Sequence, residues 1–210
     1  MSLIAIGIGD QGSGIGAAFK VLDPRSPIPD PLTIDPRSPI ADPSTIEIRT
    51  AAADEAGAIC ELIDDHLAEG HLLPRHIEEV VARIDRFVVA ICDEEVVGCA
   101  ELAPLGHAVA EVRSLVVARR ARGCAVGQRI IAELLRRATA AGFEKLCAFT
   151  HSPSYFVHLG FSMVPHAWVP EKIATDCHSC SQFRRCGQYA VVRPLTHTRH
   201  GDLPVVALHG

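Results

Sequence analysis

Arg122-Gly123-Cys124-Ala125-Val126-Gly127 lies between an apolar run, Leu115-Val116-Val117, and an amphipathic stretch from Gln128 to Ala141. A glycine-containing turn that feeds a helix N-terminus presents successive backbone N–H groups, an anion site suited to a ligand carrying phosphates. A nucleotide-hydrolase loop would need Gly-Lys-Ser/Thr, and Gln128 and Arg129 follow the second glycine instead. The dinucleotide fingerprint would need three glycines and an acidic residue about 20 positions further on. Neither pattern fits. Near the C-terminus, Cys177-x2-Cys180-x5-Cys186 has the spacing for three zinc ligands. His178, His166, an aspartate or a partner chain would supply a fourth, and the alternative is free thiols.

The order strand, Arg-x-x-Ala-x-Gly, helix resembles the pyrophosphate-binding turn of the Gcn5-related N-acetyltransferases. After the helix come a second strand, Glu144 to Thr150, and the segment Tyr155-Phe156-Val157-His158-Leu159-Gly160-Phe161, which resembles the signature closing that family's core. Ala125 stands where the family most often has glycine, and an alanine is comfortable there only at negative φ.

The resemblance implies an α/β fold with a mixed central sheet flanked by helices, and acetyl-CoA as cosubstrate. It places the cofactor on Leu115, Val116 and Val117 and on the turn Arg122, Gly123, Cys124, Ala125, Val126, Gly127 and Gln128. Acetyl transfer to an amine needs a deprotonated amine, a polarised thioester carbonyl and a protonated leaving thiolate. Glu111 is the candidate general base, acting through water; the alternative is a solvated strand-end carboxylate. Tyr155 is the candidate acid for the thiolate, although the family tyrosine aligns better with Phe156; the alternative is a packing aromatic.

Leu72-Leu73-Pro74-Arg75, Glu111-Val-Arg113-Ser-Leu-Val-Val, Leu146 to Thr150 and the tail Trp168 to Ala190 are similar to the N-acetylglutamate synthases within that family. This implies transfer to the α-amine of L-glutamate, the first step of arginine biosynthesis. Two carboxylates call for two cationic clamps. Arg75 is the candidate for one, and Arg113, Lys172 and Arg185 are candidates for the other. Another amine (a different amino acid, an antibiotic or a protein N-terminus) is the rival within enzymes. A non-catalytic acyl-CoA sensor or a zinc-stabilised interaction module is the rival outside them.

With 210 residues, 48% hydrophobic and 21% charged, the chain can bury one ordinary core. No apolar run reaches the ~18 residues that span a bilayer, and the N-terminus lacks a positive leader, so a cytoplasmic protein is expected. The formal charge of -5 argues against a nucleic-acid partner. Arg119, Arg120, Arg122 and Arg129 form a local basic patch suited to a phosphorylated cofactor. The expected partner is a small-molecule amine, with a homodimer left open. The cysteines are expected to be reduced.

The elements that must position these residues begin at Glu47. Residues 23–34 and 35–46 are a tandem proline-rich repeat, read with everything before it as a disordered leader, 1–46. Glu47 to Thr50 reads as a strand, Ala51 to Ala68 as a helix and His76 to Ile84 as a second helix. Arg86–Cys92 and Val96–Leu102 read as a hairpin turning at Asp93-Glu94-Glu95, and Ala108–Val117 as the strand before the turn. The domain is expected to run over 47–193, about seven tenths of the chain, with 194–210 a tail.

Overall fold

The computed structural model describes residues 43–69, 72–180 and 185–195, so the repeat up to residue 42 and the tail beyond residue 195 lie outside the described residues. The strands are β1 (Glu47–Thr50), β2 (Phe87–Cys92), β3 (Glu95–Pro104), β4 (Val109–Val117), β5 (Lys145–Thr150), β6 (Ser162–Val164) and β7 (Tyr189–Pro194). The helices are α1 (Ala56–Asp64), α2 (Ile77–Val81), α3 (Val126–Ala140), α4 (Pro153–His158) and α5 (Pro170–Thr175). The strands form one sheet in the order β1-β2-β3-β4-β5-β7-β6. All neighbours are antiparallel except β4 and β5. The expected mixed sheet flanked by helices is the observed architecture.

Alternation along the strands explains the layers. Val88 and Ala90 of β2 face a core shared with Ile130, Ile131 and Leu134 of α3 and Phe156 of α4. Phe87 and Val89 face the opposite core with Ile59, Leu62 and Ile63 of α1 and Val80 of α2. Burying each large aliphatic side chain of α3 contributes about 1.5–3 kcal/mol. Gly98 on β3 lets α3 lie this close. A Cβ there would stand 3.0 Å from Val126 Cγ1 and 3.1 Å from Ile130 Cδ1.

Four boundaries differ from the sequence reading. The single helix expected over 51–68 is a 3-10 turn at Ala53–Glu55, then α1, then a second 3-10 turn at Leu67–Glu69. The His66 ring takes the Leu62 carbonyl at 2.8 Å, removing an acceptor that a continuing helix would have used. His66 is buried in this arrangement. The second helix closes at Val81 and resumes as a 3-10 turn at Ile84–Arg86. The hairpin turn uses two residues, Asp93 and Glu94, both at positive φ (49° and 65°), as a tight turn matching the strand twist requires. Packing also starts before Glu47. Ile46 is buried and its carbonyl accepts from Arg129 at 2.7 Å.

Leu159-Gly160-Phe161 is a helix stop. Gly160 at φ 82° follows the end of α4, and the Phe161 N–H returns to the Phe156 carbonyl at 3.0 Å. This places Phe161 edge-on against Phe156, ring centroids 5.2 Å apart.

Gly98→Val is expected to push α3 off the sheet and lower stability by about 1–3 kcal/mol, the usual cost of overpacking. Chemical denaturation monitored by circular dichroism measures it.

Candidate active site

β4 and β5 pair at only three positions, Val109↔Lys145, Ala110↔Leu146 and Glu111↔Cys147. β4 nevertheless continues to Val117 and β5 to Thr150. The strands therefore part after Glu111, leaving the inner edge of each open to a ligand's backbone-seeking groups. β4 also carries a bulge. Between the pairs Glu101↔Arg113 and Cys99↔Val116, β3 advances two residues and β4 three, and Ser114 sits at φ 51°. Leu115 turns to the α3 core and Val116 to the α1 core, while Val117 is half-buried beside the turn.

The turn holds Gly123 at φ 85° and Ala125 at φ 57°. The expectation of a negative φ at Ala125 is overturned: this alanine occupies the left-handed region that glycine favours, at a cost of about 1–2 kcal/mol. Ala125 is also the N-cap of α3 and supplies no capping side chain. The first N–H groups of the helix have no carbonyl within it, and with the helix dipole they suit an anion. Val126 is buried, Cys124 is half-buried and Gln128 is exposed. Gly127 is required by contact, because a Cβ there would collide with the Tyr155 hydroxyl. The phenol thus stands over the turn, and burial pushes its pKa up to about 12. It stays protonated at neutral pH, able to donate. Phe156, the family's aligned position, is fully buried in the core.

The four arginines near the turn do not form an unpaired patch. Arg122 binds both oxygens of Glu69 at 2.9 Å and donates to the Val117 carbonyl at 3.2 Å. Arg119 also reaches Glu69, Arg120 pairs with Glu95, and Arg129 holds Ile46. The groups the turn leaves open to an anion are therefore backbone N–H groups rather than free guanidinium charge.

On the sheet face opposite α3, ionic groups run across β3 and β4. Glu111 is fully buried, neither solvated nor at a wet strand end. Its carboxylate accepts from Lys172 Nζ at 2.8 and 2.9 Å and from Arg113 Nε at 2.6 Å. Asp176 accepts from Lys172 at 2.7 Å and from Arg113 at 2.5 Å. Burial works against the Arg113 charge, yet Glu111 and Asp176 raise its pKa; burial likewise opposes the Asp176 charge, and Lys172 and Arg113 hold its pKa below the usual range. Lys172 also lies 5.2 Å from the Phe149 ring centroid. Arg75 pairs with Glu101 at 2.6 Å and reaches Glu79 at 3.4 Å.

Arg75, Arg113 and Lys172 are thus gathered beside the parting strands, each already facing a carboxylate. Arg185 is exposed and is not brought to them by any hydrogen bond or ion pair among the described residues. Cys177, Cys180 and Cys186 are free thiols, and among the described residues no three metal-ligating side chains converge. Sequence reasoning missed Glu101, Glu69 and the Asp176 partnership. A lone carboxylate inside the apolar run Val96 to Ala103 was the available signal for Glu101.

Ala125→Gly is expected to relieve the left-handed strain, raising unfolding free energy by about 1 kcal/mol while leaving the site intact. Urea denaturation decides it; an unchanged or lowered midpoint would mean that the turn is not strained.

Comparison with known proteins agrees with this geometry. The sequence matches the acetyltransferase (GNAT) family over residues 57–161. An uncharacterised N-acetyltransferase of Chlorobaculum tepidum is 27% identical over 141 residues, covering 67% of this chain and 91% of that protein. An amino-acid acetyltransferase of Ralstonia nicotianae is 33% identical over 110 residues, covering 51% of this chain and 24% of that protein. The structure of N-acetylglutamate synthase from Neisseria gonorrhoeae, complexed with coenzyme A and N-acetyl-glutamate, superposes with a TM-score of 0.66 at 25% identity. It covers 72% of this chain and 35% of that one. The chain spans well under half the length of these last two proteins. With half of its residues in the family match, a sheet that parts after Glu111 and a glycine turn opening α3, the chain belongs to the GNAT acetyltransferases and is an acetyl-CoA-dependent N-acetyltransferase.

Proposed function

We propose that this enzyme transfers acetyl from acetyl-CoA to the α-amine of a free amino acid, L-glutamate, as the opening step of arginine biosynthesis in the cytoplasm. The observation that carries this reading is the gathering of Arg75, Arg113 and Lys172 on the sheet face beside the parting of β4 and β5. Cations there suit carboxylates of a small acceptor, and the similarity to an amino-acid acetyltransferase and to N-acetylglutamate synthase supports it. The pantetheine arm would lie along Leu115, Val116 and Val117, with its phosphates on the N–H groups of residues 125–128. Tyr155 would give the departing sulfur its proton. No helix among the described residues is long and apolar enough to cross a membrane.

A second reading is favoured by the charge balance. Glu101, Glu111 and Asp176 already face the three cations, so an amino acid with an uncharged side chain would fit without adding net negative charge.

Coenzyme A release, followed with a thiol reagent across the twenty amino acids, is expected to be greatest with glutamate. Release confined to neutral amino acids would replace the glutamate assignment with the second reading. Arg75→Ala is expected to raise the amino-acid KM about 10–100-fold, the value of a charged hydrogen bond, with little change in that for acetyl-CoA. Gly127→Glu should abolish acetyl-CoA binding by calorimetry, since it sets a side chain against Tyr155 and a negative charge where phosphates would lie. Normal affinity in that variant would move the cofactor elsewhere.

A further inference from the structure

The catalytic base left open by the ion pairs of Glu111 can be sought among carboxylates that keep an unpartnered oxygen. Glu111 offers three charge-assisted contacts to Lys172 and Arg113, and Asp176 is shared by the same two cations. Glu101 differs. It is fully buried, Oε2 accepts from Arg75 at 2.6 Å, and Oε1 has no hydrogen-bond partner. Arg75 Nε is likewise buried without a partner. One ion pair therefore carries an unused acceptor on its acid and an unused donor on its base. Such groups are normally satisfied in a folded protein. An α-amino acid has the complementary pair, an ammonium donor and a carboxylate acceptor on one carbon.

The position of Glu101 is equally specific. It stands directly across from Arg113, the residue before the β4 bulge at Ser114, and adjacent strands lie about 4.8 Å apart. It is on the strand face shared with Arg113 and Glu111, next to where β4 leaves β5.

We propose that Glu101 is the general base of the reaction: Oε1 binds the acceptor's α-ammonium and takes its proton, while Arg75 Nε–H holds the α-carboxylate. The inference rests on the reading that the acceptor is a free amino acid. One N–H proton passes to Oε1, and the lone pair so exposed forms the new C–N bond to the thioester carbonyl carbon as the C–S bond breaks. Tyr155 gives its proton to the departing sulfur and is reprotonated by the second proton lost by nitrogen, and the proton on Glu101 returns to water. The charged groups that face Glu101 are Arg75, which also reaches Glu79 on α2, and Arg113 on β4.

Glu101→Gln keeps the shape and an oxygen for Arg75 but cannot accept the proton. Measured with L-glutamate, or with whichever of the twenty amino acids the wild type acetylates, kcat at pH 7 is expected to fall about 100-fold or more. The remaining rate should climb about tenfold per pH unit toward the amine's own pKa, where the wild type is flat, because only the free amine then reacts. Calorimetric affinity for acetyl-CoA should be unchanged. If this variant fails to fold, Arg75→Gln/Glu101→Gln, which leaves neither charge unpaired, takes its place with the same two kcat readouts. A kcat within threefold of wild type with a wild-type pH profile would overturn the base assignment and leave the amino-acid reading standing. A wild type that acetylates none of the twenty would overturn both.

Discussion

The site depends on a parallel strand pair that ends early. Three residue pairs join β4 to β5, and past Glu111 and Cys147 the two strands separate. An open seam in the middle of a sheet exposes backbone donors and acceptors that must be met by something. Here the last paired residue of β4 is a buried carboxylate, tied to Lys172 on α5 and to Arg113 two positions along its own strand. Removing one partner of such a network typically costs about 3–5 kcal/mol, because a charge is left in the interior uncompensated. The network thus fixes α5 against the sheet and fixes where the seam begins. That is a structural duty, and it explains why Glu111 is poorly placed to serve as a solvent-coupled base.

The same economy governs the other end of the site. Glu69 occupies Arg122, and Glu95 occupies Arg120, so the arginines that frame the turn are held in place by internal carboxylates. What remains for an anion is a row of N–H groups at an α3 terminus without a capping side chain, reinforced by the helix dipole. Backbone donors cannot swing away or be screened as long side chains are. The direction of these donors is set by the turn itself, including the left-handed backbone at Ala125, whose strain the surrounding packing sustains.

The fold was legible in the sequence wherever the determinants are local. The hairpin of β2 and β3 and the run from β4 through the turn into α3 each follow from apolar period and turn residues within about a dozen positions, the range over which such patterns act. The paired site groups were not. Lys172 and Glu111 are 61 positions apart, Asp176 and Arg113 are 63 apart, and β7 enters the sheet between β5 and β6, which no local pattern announces. The break of the expected long first helix depended on where the His66 ring went, a tertiary choice. Candidate cations could be named from residue type, but their neutralisation by Glu101 and Asp176 required the sheet register.

Buried polar atoms without partners sharpen the view of what this fold is for. Among the described residues they are His66 Nε2, Arg75 Nε, Glu101 Oε1 and Glu171 Oε2. Two of the four belong to a single ion pair on the sheet face beside the bulge. Natural proteins tend to violate local rules of satisfaction at functional sites, where a ligand completes what the chain leaves open. An apolar residue at 101 would cost less stability, and Cys99 and Ala103, on the same face of β3, are buried apolar side chains. Retaining a carboxylate there, with one oxygen anchored and one unused, makes physical sense when a cationic group enters and leaves during turnover.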